Sequence, residues 1–346
     1  MMTSNEIKKL MQRANDFHIS ENPEYGDCSW ERGAYMIGCL AAYETTSKKE
    51  YYDYALGWAN KNNWSFHDDG SDWAYKNADY KICGQSYLKL MELDPSSGTM
   101  ENMIRGMEIV LNDKNNDYWW WVDTIYMALP YYNMMGIKLN DSRYFEKVHA
   151  LFINTKEERG LYDCAEHLWY RDENYLPDKA RTASGKKIFW GRGNGWVIAG
   201  IARTLEVLPK TNKYYDEYLR IFKDMAKALR PWQQSDGAWR TSIIDPEEYD
   251  TPETSGTVLI LYAYMLGINL GLLDDEYLEP VLRGFKWLSG EAMLESGKIG
   301  YVQVVAASPG PVDRNASNDY AVGTYLLLCR ELVKYTERKQ QAGAIE

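Results

Sequence analysis

Helical segments of two alternating kinds constrain this chain more than any other feature. Six are amphipathic with one charged side, at 5–17, 48–59, 100–112, 142–153, 213–229 and 275–288. The other six, at 30–43, 79–91, 123–135, 194–208, 254–270 and 318–333, are apolar nearly all round and rich in small residues. A helix apolar on every side must be buried on every side. Half-exposed helices alternating with buried ones predict an all-α double ring of six helical hairpins, an (α/α)6 barrel lined by the apolar set. The whole chain, residues 1–346, is read as one such toroid. Early inner helices start about 45 residues apart, a helical-hairpin period. Later ones are spread by inserts at 160–171, 237–243 and 298–305 that read as short strands and loops.

If every outer helix runs one way, every inner helix runs the other, and the inner N-termini share one rim. That rim is predicted to gather Trp30, Glu31 and Arg32; Asp79; Trp119, Trp120, Trp121 and Asp123; Arg192, Asn194 and Trp196; Glu253, Thr254 and Ser255; and Asn318, Asp319 and Tyr320. Asp, Asn, Ser and Thr are ordinary helix caps, so each of these taken singly reads as a cap. Capping does not account for the tryptophans.

The aromatic content of the chain is lopsided: Trp 13 and Tyr 28 against Phe 7. Rings with a polar edge suit a half-wet cleft and lean toward carbohydrate, although large helical proteins also use them as core filler. The formal charge of −11 disfavours broad contact with nucleic acid or an anionic membrane, so an anionic ligand needs a local cationic pocket. No apolar run reaches membrane-spanning length, and the polar, amphipathic start has no leader-like apolar stretch, which together read as a soluble, cytoplasmic protein, or a periplasmic or secreted one if a signal peptide has been removed. Five scattered cysteines (Cys28, Cys39, Cys83, Cys164, Cys329) and four histidines (His18, His67, His149, His167) form no metal-ligand spacing, so neither a metal nor another cofactor is expected. A Ser-His-Asp triad is disfavoured on the same grounds. Oligomeric state is not readable.

Asp123 follows three consecutive tryptophans, and desolvation beneath rings raises a carboxyl pKa, holding a proton ready near neutral pH. A helix N-terminus opposes that shift, and a second carboxylate restores it. Asp79 is the natural neighbour, with Glu31, Glu253 and Asp319 as competitors. Two carboxyls on one rim is what glycoside cleavage needs. In Gly185–Gly200, glycines interleave with Trp190, Arg192, Asn194 and Trp196; the arginine suits a sugar carboxylate between stacking rings, or else is a structurally stacked residue. His167 is the one histidine in aromatic and acidic company, a cleft residue or a satisfied structural one.

The segments 121–127 (WVDTIYM), 166–172 (EHLWYRD), 189–197 (FWGRGNGWV), 252–257 (PETSGT) and 300–303 (GYVQ) resemble glycoside hydrolase family 105, the unsaturated rhamnogalacturonyl hydrolases, from near Trp30 to near Gly323. The resemblance implies an (α/α)6 barrel that removes a 4,5-unsaturated uronate from lyase-generated oligosaccharides. It implies that Asp123 protonates carbon 4 of the vinyl ether while water adds at carbon 5, with Asp79 tuning the pair or positioning water. Trp121, Trp190, Arg192 and Trp196 then hold the ring and its carboxylate, with Trp30, Tyr320 and His167 completing the candidate binding set. One departure is Asp163, where many such hydrolases carry a histidine after Leu-Tyr; it leaves the leaving-group sugar open. The alternatives are an unsaturated glucuronyl hydrolase of family 88 acting on glycosaminoglycan disaccharides, a sugar epimerase, and a non-catalytic sugar-binding toroid. Against the first stands a modest basic patch (Arg181, Lys186, Lys187, Arg192), and against the second the shortage of histidines.

Overall fold

A computed structural model describes residues 2–343, so Met1 and residues 344–346 of the expected toroid lie outside the described residues. The outer helices are α1 (Ser4–Glu21), α3 (Lys49–Lys61), α6 (Glu101–Asn112), α9 (Ser142–Ile153), α11 (Tyr215–Leu229) and α13 (Leu278–Trp287). The inner ones are α2 (Trp30–Thr46), α5 (Ile82–Leu93), the pair α7 (Thr124–Met127) and α8 (Leu129–Leu139), α10 (Gly191–Val207), α12 (Thr254–Asn269) and α14 (Asp319–Gly343). A short α4 (Asp72–Lys76) lies in the loop before α5. Around the inner ring α2 packs on α5, α5 on α8, α8 on α10, α10 on α12, α12 on α14, and α14 back on α2. Outside this ring α3 packs on α2, α9 on α8, α11 on α10 and α13 on α12, α6 packs on α4 and α9, and α1 covers the seam between α14 and α2. This is the (α/α)6 barrel expected from the hydropathy alternation.

Burial follows pattern. In α12 every residue from Thr254 to Ile268 is buried, whereas α11 buries the stripe Tyr218, Ile221, Phe222, Met225 and Leu229 and leaves its charged side to water. Thr3 and Glu6 form a reciprocal capping box that starts α1. The ring seam is tight. A Cβ on Gly38 of α2 would lie 2.0 Å from the carbonyl oxygen of Gly323 on α14, so the two backbones touch.

The third inner helix departs from expectation. Its hydropathy pattern predicts a continuous helix over 123–135, but it breaks at Ala128 (φ −122°). Pro130 has no N–H to continue the ladder, and its ring crowds the carbonyl of Tyr126. The freed carbonyls of Tyr126 and Met127 accept hydrogen bonds from Gln85 Nε2 at 3.0 and 3.2 Å. Arg203 in turn donates to Gln85 Oε1 at 2.8 and 3.0 Å, so a polar network inside the core holds the break open.

The inserts gather at the inner N-terminal rim. Strands β1 (Tyr162–Asp163) and β2 (Leu168–Trp169) make an antiparallel hairpin, and single bridges join Trp121 to Asp172, Trp190 to Ser242, and Trp239 to Glu253. Short inner-to-outer turns occupy the opposite rim. Two of them contain Ser47 and Asn140, each with a left-handed backbone that ends its helix. Among the described residues no helix is long and apolar enough to cross a membrane.

Candidate active site

Where the inner N-termini converge lies a cavity of about 140 Å³, its wall formed by Trp30, Asp79, Trp121, Asp123 and Arg192, with Met127, Arg171, Val305 and Ala306 completing it. Five of the residues expected from the sequence therefore meet in one place.

Neither aspartate is a cap. Asp123 sits at the N-cap of α7 without a side-chain cap bond, and Asp79 opens a 3₁₀ turn (Asp79–Lys81). The Asp123 side chain is 13% exposed and its Oδ2 has no hydrogen-bond partner; the nearest cation is Arg171 Nε at 3.5 Å. Burial raises the Asp123 pKa, against the opposing pull of Arg171 and then Arg192. Asp79 accepts a 3.3 Å hydrogen bond from Trp121 Nε1. Burial, and next the charge of Asp123, push it up to about 7. The charge of Asp123 thus adds to burial in favouring the protonated form of Asp79.

The competing rim carboxylates are otherwise engaged. Glu253 caps α12, accepting from the backbone N–H groups of Ser255 (2.8 Å), Gly256 (2.7 Å) and Gln303 (3.0 Å). Asp319 is held by His18 and Arg32, each at 3.0 Å. Glu31, its pKa raised by burial, adds like charge near Asp79.

The remaining expected residues form a layer behind the wall or lie away from it. Trp30 stacks on Tyr320 at 5.3 Å and 14°, and both pack edge-on against the fully buried Trp196. Trp190 is buried under Arg192, whose guanidinium carbon is 4.4 Å from its ring centre, and donates to Gln303 Oε1 at 2.8 Å. Trp190, Trp196 and Tyr320 thus support the wall without forming it. His167 is not part of it: it occupies the hairpin turn with φ 55°, its Nδ1 hydrogen-bonded at 2.9 Å to the hydroxyl of Tyr162 on the same hairpin.

Arg192 reaches the cavity, but most of its fork is spent on protein. Nη1 donates to the Gln303 carbonyl (2.8 Å) and Ser255 Oγ (3.3 Å), and Nη2 to the Val304 carbonyl (2.9 Å). It therefore braces the loop carrying Val305 and Ala306, the structural role that the sequence left open beside that of a sugar-carboxylate receptor. The glycines beside it serve packing: a Cβ on Gly191 would come within 2.6 Å of the Arg240 carbonyl oxygen. Asn194 holds the hairpin, exchanging hydrogen bonds with the backbone of Trp169 at 2.8 and 3.0 Å. Asp163 pairs with Lys187 at 2.7 Å and Tyr170 at 2.5 Å.

Sequence reasoning missed Arg171 as a site residue, although it lies inside the quoted 166–172 segment. The Val122 N–H donates to the Arg171 carbonyl at 3.0 Å beside the Trp121–Asp172 bridge, setting the arginine alongside Asp123. Its guanidinium covers the Trp120 ring at 5.3 Å.

The model of Glycosyl Hydrolase Family 88 matches residues 2–336. An unsaturated 3S-rhamnoglycuronyl hydrolase from Formosa agariphila is 31% identical over 327 residues, 89% of this chain and 85% of that protein. A glycosyl hydrolase family 88 structure from Bacteroides vulgatus is 32% identical with a TM-score of 0.92, covering 96% of this chain and 100% of that one. A structure described as a polysaccharide lyase is 37% identical with a TM-score of 0.91, covering 96% and 98%.

Proposed function

Because the chain belongs to glycosyl hydrolase family 88, we propose that it removes a 4,5-unsaturated uronic acid from the non-reducing end of lyase-generated oligosaccharides. The observation that carries this reading is the pair of desolvated carboxyls, Asp123 and Asp79, in one aromatic-walled cavity with a cationic border. A buried, protonated carboxyl serves direct displacement as well as vinyl-ether hydration, and the hydration reading is supported by the similarity to unsaturated rhamnoglycuronyl hydrolases. Asp123 gives its proton to carbon 4, leaving positive charge shared by carbon 5 and the ring oxygen. Water adds at carbon 5 and loses a proton to the resulting carboxylate, with Asp79 steadying that water. The hemiketal opens by breaking the carbon 5–ring oxygen bond, and the hemiacetal left at carbon 1 releases the leaving sugar. Trp30 and Trp121 flank the ring, and Arg192 contributes charge and a fixed loop.

Rhamnose as the sugar released, the rhamnogalacturonan-type substrate and the family 105 grouping are the finer part of this proposal, supported by the sequence motifs, and the rhamnose also by similarity to the Formosa rhamnoglycuronyl hydrolase. A cytoplasmic site of action is supported by free thiols at Cys28, Cys39, Cys83, Cys164 and Cys329.

The test is optical. On an unsaturated rhamnogalacturonan disaccharide, the absorbance of the conjugated double bond should fall as the partner sugar appears. A lyase acting on intact polysaccharide makes that absorbance rise, so the sign separates the two readings, and no change with either substrate rejects both.

The carboxyl pair also sets a pH dependence. Asp79, with a pKa raised to about 7 from an ordinary 3.8, holds its proton below that value. We expect kcat/KM to fall on the alkaline side as the buried acid Asp123 ionises, and that limb to move to lower pH in Asp79→Asn, where Asp123 loses its carboxyl neighbour. The same shift destabilises the fold as pH rises through 7, because the unfolded chain ionises first. Thermal melts should therefore show Asp79→Asn gaining more at pH 8 than at pH 5; equal gains would remove the buried charge as the cause.

A further inference from the structure

We propose that Arg171 is the receptor for the carboxylate of the substrate's unsaturated uronate, an inference that rests on the function proposed above. In such a sugar the carboxylate carbon is bonded to carbon 5, next to the carbon that accepts the proton. Whatever binds that carboxylate must therefore stand a few ångströms from the acid. Arg171 does: it lines the same cavity as Asp123, and its Nε lies 3.5 Å from Asp123 Oδ2.

The two arginines of the cavity differ in what remains to be bound. Arg192 is 1% exposed and has its Nη groups turned onto two backbone carbonyls and a serine hydroxyl. Arg171 has a side chain 17% exposed and spends one donor, Nη1, on Asp172 at 2.7 Å. Its Nε is buried and faces Asp123 Oδ2 at 3.5 Å, which leaves Nη2 as the donor open to a carboxylate oxygen. Asp172 is itself anchored, accepting from the Asn174 N–H at 2.8 Å, and the Trp120 ring supports the guanidinium from below. The cation is positioned before the substrate arrives.

The cavity also needs it. Asp79, Asp123 and nearby Glu31 all repel an incoming carboxylate whenever they ionise. Arg171 offsets that repulsion at the point of contact, and by approaching Asp123 it also draws that carboxyl's pKa down from where burial alone would set it.

The experiment crosses the protein change with a substrate change. kcat/KM is measured on the unsaturated disaccharide and on its uronate methyl ester, with the intact protein and with Arg171→Gln. The intact protein should prefer the free acid by about 30-fold or more, the scale of an unpaired buried charge, and Arg171→Gln should bring the two substrates to near equality, mainly through KM. Arg171→Lys, which keeps charge without the fork, should retain part of the preference and covers the case in which the glutamine variant does not fold. An undiminished preference in both variants overturns the proposal, as does an intact protein that treats acid and ester alike. A third arm adds a sulfate ester to the leaving sugar. If Arg171→Gln removes only the advantage of that substituent, the receptor serves the leaving sugar and the assignment to the uronate is wrong. Should the intact protein turn over neither substrate, the functional reading has failed and this inference falls with it.

Discussion

Asp123→Asn is expected to reduce turnover of the unsaturated disaccharide by about a thousand-fold, within the range that a positioned general acid contributes. An amide is close in shape to the carboxyl but has no acidic proton to give to carbon 4. Because Asp123 Oδ2 has no hydrogen-bond partner and no cap depends on it, the replacement removes only the 3.5 Å ion pair with Arg171. Substrate affinity, measured by calorimetry on the inactive variant, should stay within a few-fold of the intact protein, and the thermal midpoint at pH 8 should be equal or higher. Turnover close to the intact protein's would take the proton donor away from Asp123. Loss of turnover together with loss of binding would instead make Asp123 a binding group.

Gly38→Val is expected to produce the largest loss of stability, about 3 kcal/mol or more, at the upper end of what overpacking costs. The added Cβ would fall 2.0 Å from the Gly323 carbonyl oxygen, and the reciprocal Cβ on Gly323 would fall 2.3 Å from the Ala34 carbonyl oxygen. Both obstacles are backbone, so no side-chain rotation relieves them. α2 and α14 must separate where the ring closes, and the strain reaches Trp30 and Tyr320, which stack across the same seam. Circular dichroism melts should show a drop of several degrees, whereas Gly290→Ala, with open space around its Cβ, should leave the midpoint unchanged.

Much of this architecture is legible in the chain because burial on all sides has an unambiguous signature. The inner helices announce themselves by lacking a polar face, and from them follow the ring, its direction and the shared rim. Asp79, Asp123, Trp121, Trp30 and Arg192 were found by asking what stands at that rim. What escaped depends on contacts between distant segments. Arg171 sits in an insert whose place beside Asp123 is set by the Trp121–Asp172 bridge, and no local periodicity encodes that pairing. The role of Arg192 turns on the carbonyls of Gln303 and Val304, over a hundred residues away in sequence. Pro130 was visible as a helix breaker, but the donor that makes the break tolerable, Gln85, belongs to another helix. His167 drew attention through its neighbours in sequence, and its own hairpin supplied a partner in Tyr162.

The seam helices α1 and α14 run antiparallel, with Ser4 and Lys8 both 2.7 Å from Glu337 at the rim away from the cavity. That rim holds turns such as those at Ser47 and Asn140, which reverse the chain and take no part in the site. The order in which the hairpins are threaded is therefore separable from the chemistry at the mouth. A circular permutant, with α14 linked back to α1 and new ends opened at one of those turns, would assemble the same wall from the same residues. In this barrel the identity of the first hairpin is a matter of genetics, while the face on which a loop emerges decides whether it can touch a sugar.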